Sequence, residues 1–99
     1  MNKEYELAVI FKDDENSSAE GLNFVKDLLS KSNISILNED VWGSRELAYP
    51  IEKHKKGYYV FIKMEGEPLT VKKIERDLRL NNSILRFLIF KKAKKKGGK

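Results

Sequence analysis

The residues in this chain best equipped to do chemistry are its cations. Lys91, Lys92, Lys94, Lys95, Lys96 and Lys99 close the sequence with no acid among them, and Lys53, His54, Lys55 and Lys56 form a second basic run just before Gly57. Lysine runs neutralise phosphates, which positions a protein on a nucleic acid without reading its sequence. A solubilising tail is the plainer role for the same composition. The net charge is +5, and the six C-terminal lysines supply 6 of it, which leaves Met1–Phe90 at −1. The body is therefore near neutral, and the basic character belongs to the tail.

Other chemistries find little support. With no cysteine there is no disulfide framework, thiolate or cysteine-ligated metal. The single histidine, His54, sits between lysines with no base or nucleophile in its pattern, so an exposed turn residue is expected. Asp13, Asp14 and Glu15 are adjacent carboxylates in front of a helical pattern, where acids meet the positive end of the helix dipole. No glycine-rich phosphate loop and no metal-ligand spacing occurs. The expectation is a non-enzymatic protein without cofactor, metal or small-molecule substrate. No apolar run approaches ~18 residues, the length a membrane-spanning helix needs. The opening Met1-Asn2-Lys3-Glu4-Tyr5 lacks the order of a signal peptide, so a cytoplasmic protein is expected.

The elements that must position the cations can be read in order. Tyr5–Phe11 alternates and is predicted to be a strand, with Tyr5, Leu7, Val9 and Phe11 on one face. Ser17 stands three residues before Glu20 at capping-box spacing, and Leu22, Val25, Leu28 and Leu29 follow at helical spacing. A helix is predicted from about Ser18 to Lys31, with Asn33 as a left-handed stop. Extended structure resumes at Ile34 and runs to about Leu47, with Gly43 as the site of a bulge. Pro50 lacks a backbone donor and suits an edge strand. The run Lys53–Lys56 is expected to be a loop closed by Gly57. Tyr58-Tyr59-Val60-Phe61-Ile62 opens the third strand, the most strand-like run in the chain. Pro68 starts a second helix over about Leu69–Leu80, in which Val71, Ile74 and Leu78 share a face. Ile84–Phe90 is the fourth strand.

The order β-α-β-β-α-β implies an α+β, ferredoxin-like fold: a four-stranded antiparallel sheet in the order 4-1-3-2, with both helices on one face. One domain is expected over residues 1–91, with 92–99 a basic, disordered tail. Leu7, Val9, Phe11, Val60, Ile62, Met64, Leu85, Phe87 and Ile89 are predicted to face the helices. The opposite parity gives Ala8, Ile10, Tyr59, Phe61, Lys63, Arg86, Leu88 and Phe90 on a face with no helix over it. Most of these are apolar, and a contiguous apolar patch marks a docking surface unless a loop covers it. Together with the edge of the second strand, this face is expected to meet another macromolecule.

Paired aromatics on such a face also occur in RNA-recognition modules, but the first strand offers only Ala8 and Ile10 there, which favours a protein partner. Small domains of this topology can hydrolyse acyl phosphates through a basic cradle after the first strand. Here that loop is Asp13-Asp14-Glu15, which repels phosphate. A stand-alone RNA-binding or self-associating regulatory module stays open. The antiparallel pairing of the first and fourth strands predicts that Lys3 lies near Lys91 and Lys92 as one basic corner, with Lys53–Lys56 at the opposite end of the sheet.

The run Trp42-Gly43-Ser44-Arg45-Glu46-Leu47-Ala48-Tyr49-Pro50-Ile51, followed by Lys53 and Gly57-Tyr58, resembles the signature of bacterial small-subunit ribosomal protein number six, approximately Gly-x-Arg-x-Leu-Ala-Tyr-Pro-Ile. The opening Tyr5-Glu6 and the segment Asn82–Lys91 are similar as well, so the resemblance covers essentially the whole chain to Lys91. It implies the ferredoxin-like fold, binding to 16S rRNA and a heterodimer with small-subunit ribosomal protein number eighteen, met by the hairpin and the sheet surface. The partner-facing residues expected on that basis are Ala8, Ile10, Arg45, Tyr49, Tyr59, Phe61, Leu88 and Phe90. The RNA-facing residues are Lys3, Arg86, Lys91, Lys92, Lys94, Lys95 and Lys96. The resemblance carries no role for the tail Lys92–Lys99, and Glu52 is given no RNA role.

Overall fold

In the computed structural model, residues 2–51 and 53–91 are described. The chain forms β1 (Lys3–Lys12), α1 (Glu15–Lys31), β2 (Ser35–Ile51), β3 (His54–Gly66), α2 (Pro68–Arg79) and β4 (Ile84–Lys91). The strands make one antiparallel sheet in the order β2-β3-β1-β4, which is the predicted topology read from the other side. Alternation in β1 and β3 drives this arrangement. Leu7, Val9 and Phe11 pair with Ile62, Val60 and Tyr58, and their helix-facing side chains bury against Val25, Leu29, Val71, Ile74 and Leu78. Each such side chain contributes roughly 1.5–3 kcal/mol on burial.

Three local expectations need correction. The N-cap of α1 is Asp14, not Ser17: its carboxylate accepts the Ser17 backbone N–H at 2.8 Å. An aspartate three residues upstream satisfies the same orphan amide and starts the helix earlier. Lys53–Lys56 is not a loop. His54, Lys55 and Lys56 lie in β3, Ile51 pairs with His54, and the chain turns at Lys53, with φ +73°. The arms of a hairpin extended beyond the sheet satisfy each other's backbone groups, which overrides the low strand propensity of lysine.

Leu85 falls outside the expected β1–β4 register. Ile10 pairs with Arg86 and Phe11 with Ile84, so a register shift leaves Leu85 over, and Ile84 packs on the core in its place. Gly43 does sit in a bulge, with φ +84°, between the pairs Val41–Val60 and Gly43–Tyr59. A second shift lies between Ile36 and Asn38. Asn33 ends α1 at φ +61°, as its pattern predicts.

The helices do not reach across the whole sheet. No residue of β2 is buried, whereas β1 buries every second side chain from Tyr5 to Phe11. One ion pair ties the overhanging strand to the helix layer, Lys26 of α1 to Glu39 of β2 at 3.1 Å. The expected tail residues Lys92, Lys94, Lys95, Lys96 and Lys99, and Glu52, lie outside the described residues.

Candidate functional site

The face of the sheet opposite the helices is built in rows that the strand registers define. One row runs Asp40, Phe61, Ala8, Leu88 from β2 to β4; the next runs Gly43, Tyr59, Ile10, Arg86. Below them lie Asn38, Lys63, Glu6 and Phe90, and above them Arg45, Gly57 and Lys12. The sequence-predicted partner residues Ala8, Ile10, Tyr59, Phe61, Leu88 and Phe90 thus lie side by side on one surface. Ala8, Ile10, Tyr59 and Phe61 are partly exposed, while Leu88 (55%) and Phe90 (53%) are open to solvent. Among the described residues no loop covers the face. An apolar centre with charged margins is the composition of a protein interface core and its rim.

Arg45 also reaches this face, and the reason is the bulge. Without it, Trp42 and Arg45, three residues apart, point to opposite sides of the strand. The extra residue at Trp42–Gly43 reverses the alternation, so both turn to the open face. The Arg45 guanidinium lies 5.4 Å from the centroid of the Trp42 ring, and that ring lies 4.7 Å from the ring of Phe61, tilted by 51°. The indole N–H donates to an Asp40 carboxylate oxygen at 3.1 Å. Trp42 is a member of this face that reading the strand by parity missed. Its aromatic character beside Gly43 was the available signal. Tyr49 is elsewhere: it stands 81% exposed on the outer part of β2, in the stretch between Glu46 and Ile51 where the pairing is irregular.

The cations divide. Lys91 pairs with Tyr5, and Lys3 lies two residues further along the same end of β1, so these two form the expected corner. By alternation both belong to the helix side of the sheet. Arg86 lies on the open face beside Ile10 and next to the free edge of β4, away from that corner. At the other end of the sheet the Asp14 carboxyl is held below the usual carboxylate range, chiefly by the Ser17 backbone N–H. Asp14 is thereby committed to capping. Among the described residues no group of histidines and acids is placed to hold a metal ion, and no helix is long and apolar enough to cross a membrane.

The family model described as Ribosomal protein S6 matches residues 4–91. The chain belongs to the ribosomal protein S6 family. A small ribosomal subunit protein bS6 from Mycolicibacterium paratuberculosis is 39% identical over 92 residues, covering 91% of this chain and 96% of the relative. Its counterpart from Leptospira biflexa is 37% identical over 89 residues, covering 90% and 96%. The crystal structure of 30S ribosomal protein S6 from Thermotoga maritima superposes with a TM-score of 0.84 at 22% identity, covering 93% of this chain and 89% of that one. The fold alone is not diagnostic, because the C-terminal domain of the MgtC protein from Mycobacterium tuberculosis matches with a TM-score of 0.66 at 10% identity. S6 family membership makes this chain a structural, non-enzymatic component of the small subunit of the cytoplasmic ribosome.

Proposed function

We propose that this chain binds 16S rRNA in the small subunit cooperatively, as one half of a heterodimer with small-subunit ribosomal protein number eighteen. The observation that carries the reading is the uncovered face, where Ala8, Ile10, Tyr59, Phe61, Leu88 and Phe90 adjoin across three strands. Arg45 at its margin and Tyr49 on the hairpin arm extend the contact beyond the sheet. Residues 1–91 act as the docking domain, and residues 92–99 are a basic extension of it.

The phosphate contacts are Lys3, Lys91 and the tail residues Lys92, Lys94, Lys95 and Lys96. Arg86, at the free edge of β4, lies next to the partner surface, where both partners reach one RNA. Because Met1–Phe90 carries a net −1, the domain alone attracts a polyanion weakly, and the pair binds where the single protein does not. The test is sedimentation of this chain with protein eighteen: a 1:1 complex is expected. Two non-interacting boundaries at micromolar concentration contradict the reading. A homodimer indifferent to protein eighteen favours a self-associating module instead.

A further inference from the structure

We propose that Trp42 is the anchor residue of the partner interface, and that the bulge at Gly43 exists to aim it. This rests on the heterodimer reading above and deepens it. Nothing in the core needs the indole where it is. It is 50% exposed, on a strand that contributes no buried residue. A large apolar ring left half in water on an edge strand costs free energy in the isolated protein unless something covers it.

The ring is nevertheless fixed on three sides. Phe61 packs against it, Asp40 accepts its N–H, and Arg45 stacks over it. A side chain held in this way loses little further rotamer freedom on binding, which is the property of an interface anchor. Tryptophan and arginine are also the residue types that most often carry binding energy at protein interfaces.

The backbone supports the same conclusion. At Gly43 a Cβ would have open space around it, so packing does not demand glycine; the φ of +84° does. The glycine is used for the reversal of alternation that brings Trp42 and Arg45 together. The occupant is a protein segment and not a nucleobase. A base stacking on the indole would have to displace Arg45 and would meet Asp40, and both neighbouring rows, from Phe61 to Leu88 and from Tyr59 to Ile10, are apolar. The segment therefore brings apolar side chains to lie over Phe61 and Ala8, with a backbone or hydroxyl donor for Asp40.

Trp42 is the one tryptophan of the chain, so it reports its own burial. The experiment titrates the full-length protein with protein eighteen in which any tryptophan is replaced by phenylalanine, following Trp42 emission and, separately, the heat of binding. On pairing, the emission maximum shifts to shorter wavelength. Trp42→Ala weakens pairing at least about 30-fold, whereas Trp42→Phe, which keeps an aromatic ring there, loses less than the alanine variant. Binding heat with no change in Trp42 emission, or a folded Trp42→Ala variant pairing within threefold of wild type, overturns the anchor assignment while leaving the heterodimer intact. Absence of any binding heat with the wild-type protein is a different failure, that of the heterodimer itself. The emission measurement needs no variant of this chain and decides the matter even if Trp42→Ala does not fold.

Discussion

Replacing Phe61 by aspartate separates stability from docking. Phe61 lies on the central strand β3, opposite Ala8 on one side and Asp40 on the other, with the Trp42 ring 4.7 Å from its own. In the free protein, losing the aromatic pair costs about 0.5–1.5 kcal/mol. Low strand propensity costs up to about 1 kcal/mol. The new carboxylate directly across from Asp40 adds about 0.2–1 kcal/mol. Together these come to roughly 1–3.5 kcal/mol, against a typical total of about 5–15 kcal/mol. Phe61→Asp therefore stays folded, with a melting temperature lowered by about 5–25 °C.

Docking suffers far more. The carboxylate stands beside Ala8 and the Trp42 ring on the face that pairing covers, and a charge buried on association without a matched partner costs about 3–5 kcal/mol. That is a rise in Kd of roughly 150- to 5,000-fold. Isothermal titration with protein eighteen, alongside a thermal melt by circular dichroism, reads both quantities. A cooperative melt together with pairing within threefold of wild type would refute the use of the open face.

Two further perturbations test the scaffold. A Cβ added at Gly21 of α1 would meet the ring carbons Cδ1 and Cε1 of the fully buried Phe11. Gly21→Ala gains about 1 kcal/mol of helix propensity but loses about 1–3 kcal/mol to overpacking, for a net loss of up to about 2 kcal/mol; a variant melting above wild type would mean that α1 does not pack so closely on β1. Asp14→Ala removes the cap of α1. The folded Asp14 carboxyl titrates below its unfolded value, so the stability it contributes is present above the unfolded carboxylate pKa and is lost as pH falls through the folded one. The difference between wild type and variant is therefore full at neutral pH and closes in acid; a gap in melting temperature that persists below the carboxylate range contradicts the capping account.

Much of this was legible in the sequence because it depends on period and order. The alternation Tyr5, Leu7, Val9, Phe11 and the spacing of Val71, Ile74 and Leu78 locate the core, and β-α-β-β-α-β admits few right-handed topologies. The face opposite the helices followed from the same parity. What escaped has one physical origin, the competition of non-local pairing with local preference. Lys55 and Lys56 are poor strand formers that the opposite arm of the hairpin holds extended. Asp14 and Ser17 both satisfy the rules for a cap, and the sequence does not rank them. Bulges shift register and reverse parity, so Leu85 fell out of its expected pairing and Trp42 was not assigned to a face.

Cooperative binding to rRNA can be read by filter binding. The protein is incubated with a small-subunit platform fragment of 16S rRNA, with and without protein eighteen, at two salt concentrations. Retention is expected only when both proteins are present, with affinity falling as salt rises by roughly 0.7–0.9 logarithmic units per decade for each phosphate neutralised. Equal retention without protein eighteen would contradict it and would make the chain an RNA binder in its own right.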